Sequence, residues 1–306
     1  MRVAIDSTGA GVSAWIDALR REARGEEIVE FTPPAAARLF GSKGLDFALR
    51  GADLLHASPA TPAAPTRAKL TATIEDLSCW LLPDLHTPAR MKAAALFAER
   101  ILARADGLIA VSETARKDAI RLLSIDPGKI ATIYPGVDPA FFEARAAQRT
   151  SLRPYILCTG DPDPRANFAT LQQAWQQLKP DLRSVYDLVT LDTIPAPELP
   201  EWMASATLLV HVPLYETFPL PVAQAMAAGI AVVMSETSGV PEIGRDAGLM
   251  VDPHSPSAIA GALTRLLESD SERAKLARYG RARAELYRWR RCASESLAFF
   301  HRVAGK

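Results

Sequence analysis

Glu216 stands directly before Thr217, Phe218, Pro219 and Leu220, a turn that leads into a helical pattern opening at Pro221. Pro221 suits a first helical turn, where its missing N–H costs nothing, and Gly229 suits the position just past the end. A helix start of this kind offers backbone donors and a positive dipole end to a diphosphate. Thr217, Phe218 and Leu220 are therefore the expected phosphate-facing residues. Glu216 accepts hydrogen bonds from hydroxyls there, or caps the same helix. Gly239, Pro241 and Glu242 form the neighbouring loop, with Glu242 beside a ribose or phosphate or as an acid in a helix's first turn. A second chemical signal lies at Asp6-Ser-Thr-Gly9-Ala-Gly11-Val-Ser-Ala14, a permitted form of the dinucleotide fingerprint. Glu30, about twenty residues on, would be its ribose-binding acid. The same two glycines also serve a plain tight turn, or bring backbone close to a phosphate or an acceptor.

The elements that must position these residues alternate in type. Strand patterns fall at residues 2–6, 27–31, 53–56, 70–74, 107–111 and 129–133, with helical patterns at 12–21, 88–103 and 113–123 among them. A second series holds strands at 154–159, 186–191, 206–211, 230–234 and 248–251, with helices at 167–177 and 221–228. Helical patterns at 256–268 and 271–298 close the chain. Such alternation predicts parallel sheets covered by helices on both faces. The expected division is residues 1–138, a linker over 139–153, residues 154–285, and a terminal helix over 286–306. Two doubly wound Rossmann-like domains then face a cleft at the carboxyl ends of their strands.

Composition narrows the class. The 306 residues carry 35 Lys and Arg against 35 Asp and Glu, so a nucleic-acid partner is not expected. No apolar run approaches a membrane span, and MRVAID enters a strand pattern without a signal segment, so the expected location is the cytoplasm. Three scattered cysteines and five separated histidines give neither a disulfide framework nor a metal motif. No metal and no cofactor are expected. The arginines at 278, 281, 283, 288, 290 and 291 alternate with Glu285 and Glu295, which reads as a solvated helix face rather than a membrane surface.

Leu214-Tyr-Glu-Thr-Phe-Pro-Leu-Pro-Val-Ala-Gln-Ala-Met-Ala-Ala-Gly229, continued to Pro253, closely resembles the nucleotide-sugar half of family-four glycosyltransferases, retaining enzymes of the GT-B fold. Ala105-Asp-Gly-Leu-Ile-Ala-Val-Ser112 and Tyr134-Pro-Gly-Val-Asp138 resemble a late strand and the interdomain junction of the same family. Thr73-Ile-Glu-Asp-Leu-Ser78 is similar to its central acceptor-domain strand, and Trp289-Arg-Arg-Cys-Ala293 to the helix that crosses back onto the first domain. The resemblance implies a nucleotide-sugar donor of the UDP or GDP type, a hydroxyl acceptor and metal-independent, front-side transfer. Domain closure would exclude water. It places Glu216 on the transferred sugar, Gln224 on the ribose, Gly160 and Arg165 near the phosphates, and Glu75, Asp76, Gly9 and Gly11 on the acceptor side.

Five departures from the family pattern stand out. Gln224 replaces an acid, lowering one hydrogen bond from about 1.5–3 to about 0.5–1.5 kcal/mol. In Gly160-Asp-Pro-Asp-Pro-Arg-Ala-Asn167, Asp161 replaces an arginine and Ala166 a lysine. A unit charge at ~4 Å is worth about 4 kcal/mol at an effective dielectric near 20, so Arg165 is the expected substitute cation. Asp161-Pro-Asp163 also imitates the Asp-x-Asp metal motif of the other major glycosyltransferase fold, although turn-forming Asp-Pro is the ordinary explanation. Pro219 replaces a glycine and Glu75 a histidine. The stretch 192–200 is compressed, so the second domain is expected to be short. The main expectation is a glycosyltransferase. The alternative is a degenerate relative that binds a partner glycosyltransferase or a second copy of itself, and an oxidoreductase is the remaining rival.

Overall fold

The structure, a computed structural model, describes residues 1–8, 12–146, 153–160 and 163–306. Two compact units divide the chain. One comprises residues 1–136 with 289–306, and the other residues 137–288.

The first unit is built on β1 (Arg2–Asp6), β2 (Glu27–Phe31), β3 (Leu54–Ala57), β4 (Lys69–Ile74), β5 (Gly107–Ala110) and β6 (Ile130–Thr132). All pairings are parallel, in the order β2-β1-β3-β4-β5-β6. The second holds β7 (Tyr155–Cys158), β8 (Asp187–Thr190), β9 (Leu208–His211), β10 (Ala231–Ser235) and β11 (Gly248–Val251). Its strands are also parallel, in the order β11-β10-β9-β7-β8. Counted within each unit, the first sheet runs 2-1-3-4-5-6 and the second 2-1-3-4-5. This is the flavodoxin-like doubly wound order rather than the 3-2-1-4-5-6 order of dinucleotide folds. The direction in which strands are added to the sheet therefore reverses between β1 and β3, and again between β7 and β9. Ligands of open α/β sheets bind at such points.

Helices bury what the strands leave apolar. β7, β9 and β10 are buried along their whole lengths, the near-continuous apolar runs expected of strands covered on both faces. Helix Pro256–Leu267 packs Ile259, Leu263 and Leu266 against them. In the first unit, helix Trp289–Ala304 lies along helix Val12–Glu22, with Trp15 Nε1 donating to Ser296 Oγ at 3.2 Å. Gly107 makes room for this helix, because a Cβ there would stand 2.6 Å from Val303 Cγ2.

Several stretches differ from the sequence pattern. The helical run at 271–298 is broken into Asp270–Ala284, a 3-10 turn at Glu285–Tyr287, and Trp289–Ala304. Arg288 is extended there, and Tyr287 O accepts from Val137 N at 2.7 Å. A tertiary hydrogen bond thus overrides a continuous helical periodicity. Helices Ala35–Phe40 and Ser42–Ala48 fill the β2–β3 connection, where no periodic pattern is legible. Helix Pro139–Glu143 occupies part of the stretch expected to be linker. The compressed stretch after β8 forms 3-10 turns at Leu191–Thr193 and Ala196–Glu198 and no strand, so β8 ends a five-stranded sheet.

Candidate active site

In the second unit, functional side chains gather at the carboxyl ends of β7 and β9. His211, the last residue of β9, is buried, and its Nε2 lies 2.5 Å from Glu216 Oε2. A carboxylate only accepts, so Nε2–H donates. In the neutral ring Nδ1 then accepts from the Thr159 hydroxyl at 3.2 Å. The Glu216 backbone is held as firmly as its side chain. Its N–H donates to Ser238 Oγ at 2.9 Å, and its carbonyl accepts from Gly239 N at 2.9 Å and Ser238 Oγ at 3.0 Å. Gly239 is required by this contact, since any Cβ would collide with the Thr217 carbonyl oxygen. Gly160 is likewise pressed against Thr190 at the end of β8. The sequence singled out Glu216 but not His211, whose only signal was a polar residue ending an otherwise apolar strand.

The phosphate-facing turn departs from expectation. Pro219 and Pro221 have no N–H. The Leu220 N–H donates to Phe218 O at 2.9 Å, and those of Val222 and Ala223 to Pro219 O at 3.0 and 3.2 Å. Of the residues expected to face a diphosphate, Leu220 therefore uses its amide within the turn itself. Phe218 is a packing residue, its buried ring meeting Tyr287 edge-on with centroids 5.5 Å apart. Arg165 is not a free cation either. Its Nε reaches both Asp163 carboxylate oxygens, at 3.1 and 3.0 Å, and its Nη2 reaches Oδ2 at 2.6 Å. Asp163 also accepts from Arg165 N at 3.0 Å, so it caps the 3-10 turn Pro164–Ala166. Asn167 ties this turn to its surroundings by donating to Val212 O and Pro253 O. Gln224 sits half-buried in the helix, one turn past Glu216's loop. Glu242 lies in the first turn of helix Val240–Gly244, whose carbonyls at Glu242 and Ile243 accept from Arg283. In the arginine-rich stretch, Arg288 and Arg291 pair with Glu285 and Glu295.

In the first unit, the ends of β1, β3 and β4 enclose a cavity of about 450 Å³. Asp6 lies in its floor, with Oδ2 accepting from Thr61 Oγ1 at 2.5 Å and Oδ1 from Thr8 Oγ1 at 2.6 Å. His56 is buried beside it. The Thr71 hydroxyl donates to Leu55 O and so accepts from His56 Nδ1–H, leaving Nε2 to accept from Thr73. Burial depresses its pKa to about 3, against a smaller opposite pull from Asp6, so the ring is neutral. Glu75 and Asp76 stand together at the rim. The Glu75 carboxyl is held above its ordinary value by loss of solvent and then by the Asp76 charge. Asp76 accepts from Ser78 N at 2.6 Å and pairs with Arg90 at 3.4 Å. Asp6 and His56 were not singled out in the sequence. Glu30, the would-be ribose acid, instead pairs with Arg20 at 2.8 Å on the exposed side of β2. Gly9, Gly11 and Asp161 lie outside the described residues. Among those described, no group of three or more His, Cys, Asp or Glu side chains is placed to hold a metal ion, and no helix is long and apolar enough to cross a membrane.

Comparison with known proteins gives the family of both halves. Residues 16–141 match the family described as Glycosyltransferase Family 4, and residues 188–283 match Glycosyl transferases group 1. The chain belongs to the family-four glycosyltransferases. Its curated relatives include O-antigen chain mannosyltransferase B of Escherichia coli, 26% identical over 263 residues, covering 75% of this chain and 69% of that protein. A D-inositol 3-phosphate glycosyltransferase of a Nocardioides species is 28% identical over 285 residues, covering 73% and 62%. This glycosyltransferase thus spans roughly two thirds of the length of those relatives. Among solved structures, sucrose-phosphate synthase from Thermosynechococcus elongatus superposes with a TM-score of 0.75 at 16% identity, covering 100% of this chain and 99% of that one. Anabaena HepE in complex with UDP does so with 0.76 at 15% identity, covering 98% and 99%. These likenesses establish the GT-B fold.

Proposed function

We propose that this glycosyltransferase transfers a sugar from a nucleotide-sugar donor of the UDP or GDP type to a hydroxyl acceptor, with retention, in the cytoplasm. The observation that carries the reading is the fixed carboxylate of Glu216 at the β7/β9 switch point. With its carboxylate held by His211 and its backbone by the 238–239 loop, Glu216 accepts hydrogen bonds from donor-sugar hydroxyls without reorganising. Gln224 serves the ribose diol, with Glu242 and Gly160 at the nucleotide's edges. In the reaction the acceptor oxygen bonds the anomeric carbon on the face that the diphosphate leaves. The bond to the departing phosphate oxygen breaks, and that oxygen receives the acceptor proton. Glu75 and Asp76 hold the acceptor.

A second reading is favoured by the phosphate turn. Arg165 is neutralised by Asp163, Ala166 has no amine, and the amides at 220, 222 and 223 are already bonded. A chain with so weak a clamp would bind a partner glycosyltransferase or its own copy without transferring. A thermal-shift titration with UDP, GDP, ADP and their sugar conjugates separates the two. Ligand at about 100 times its Kd stabilises the fold by ~2.7 kcal/mol. The first reading expects a saturable shift with one nucleotide. No shift at millimolar ligand, with or without Mg²⁺, would favour the second.

A further inference from the structure

The cavity of the first unit carries information about what it takes. Its volume of about 450 Å³ falls in the range of small-molecule sites. It opens at the β1/β3 switch point, where doubly wound sheets bind ligands. Trp15, Phe97, Ala93 and Ala94 provide an apolar wall, against which the C–H face of a sugar ring packs. Asp6, Glu75 and Asp76 contribute three carboxyl groups to the lining, and Arg90 is the single cation among the described lining residues. That cation already faces Asp76 at 3.4 Å. His56 adds no positive charge, since both its nitrogens are bonded to threonine hydroxyls and it stays neutral.

We propose that this cavity binds an uncharged saccharide through its hydroxyls and rejects phosphorylated ones. Naming that ligand as the acceptor rests on the transferase reading above. Carboxylates accept from hydroxyl groups and cannot donate to a phosphate oxygen. An anion entering the cavity would lose water and meet further negative charge without an unengaged counter-ion.

The test uses the full chain and the indole signal of Trp15, whose N–H donates to Ser296 Oγ and whose ring lines the cavity. The signal is assigned with Trp15→Phe. The probes are methyl α-D-mannopyranoside, methyl α-D-glucopyranoside, maltose and mannobiose, set against mannose 6-phosphate and glucose 6-phosphate. At least one uncharged probe is expected to shift the signal saturably, with the phosphates at least about tenfold weaker. Ala94→Leu, which fills the cavity, should abolish the shift while leaving the melting temperature near that of the wild type. Phosphates binding as tightly as the uncharged sugars would overturn the proposal. So would silence of the Trp15 signal to every probe at about 20 mM, a limit that still detects very weak binding. Nucleotide titration fails separately. A sugar response without a nucleotide response removes the donor reading and leaves the cavity's preference standing.

Discussion

At the scale of single residues, Glu216 and His56 show two ways of fixing a polar group. Glu216 is reached by a buried histidine on its side chain and by two donors on its carbonyl. Replacing the charge removes a charge-assisted hydrogen bond worth about 1.5–3 kcal/mol, so Glu216→Gln should lower kcat/KM for the donor about ten- to a hundredfold with little change in melting temperature. Steady-state kinetics with the nucleotide sugar found by titration would measure it, and unchanged kinetics would remove Glu216 from the reaction. His56 is neutral because its site is dry. Its folded pKa of about 3 lies below the ordinary 6.5, so the unfolded chain binds the extra proton between those values. The stability it contributes is complete above pH 6.5 and is lost as pH falls towards 3, by about 2 kcal/mol at pH 5. The urea midpoint of the wild type should therefore fall between pH 7 and 5 by more than that of His56→Gln. Asp6 opposes part of the effect, and Glu75, raised in the fold, has the opposite sign.

At the scale of elements, the start of helix Leu220–Ala228 decides how strongly a diphosphate is held. Prolines at 219 and 221 and the local bond from Leu220 to Phe218 remove donors that a glycine-containing turn would present. Asp163 then neutralises the nearest arginine while capping the turn before Asn167. Both features are local and invite repair. Ala166→Lys adds an amine beside that turn and should tighten UDP or GDP binding about tenfold by calorimetry, the order of one charged hydrogen bond. Unchanged affinity would mean that the diphosphate does not reach the Pro164–Ala166 turn.

At the scale of the whole molecule, charge is balanced, with 35 basic and 35 acidic residues. Much of it is paired on the surface, as in Arg20 with Glu30, Lys179 with Glu268 and Arg291 with Glu295. A protein with no net charge has little long-range repulsion between copies. Static light scattering should show attraction strongest near pH 7 and weaker by about pH 9, with little of the salt dependence expected of a basic protein. Net repulsion at pH 7 would show that the exposed charges do not balance.

The sequence by itself determined the strands and the family. Apolar runs at 208–210 and 231–234 are strands because burial on both faces demands unbroken apolar character, and the ends of β1, β2 and β11 were legible to the residue. Glu216 was legible because a proline-opened helix follows it. Tertiary structure alone decided which strands are neighbours, and so brought Asp6, His56 and Thr73 to one cavity from three strands. It also turned His211 onto Glu216, broke the last helical run at Arg288, and used the Leu220 amide within its own turn. The physical reason is common to all of these. Periodicity is written in neighbouring residues, whereas the partner of a side chain or an amide is set by long-range pairing that no local pattern encodes.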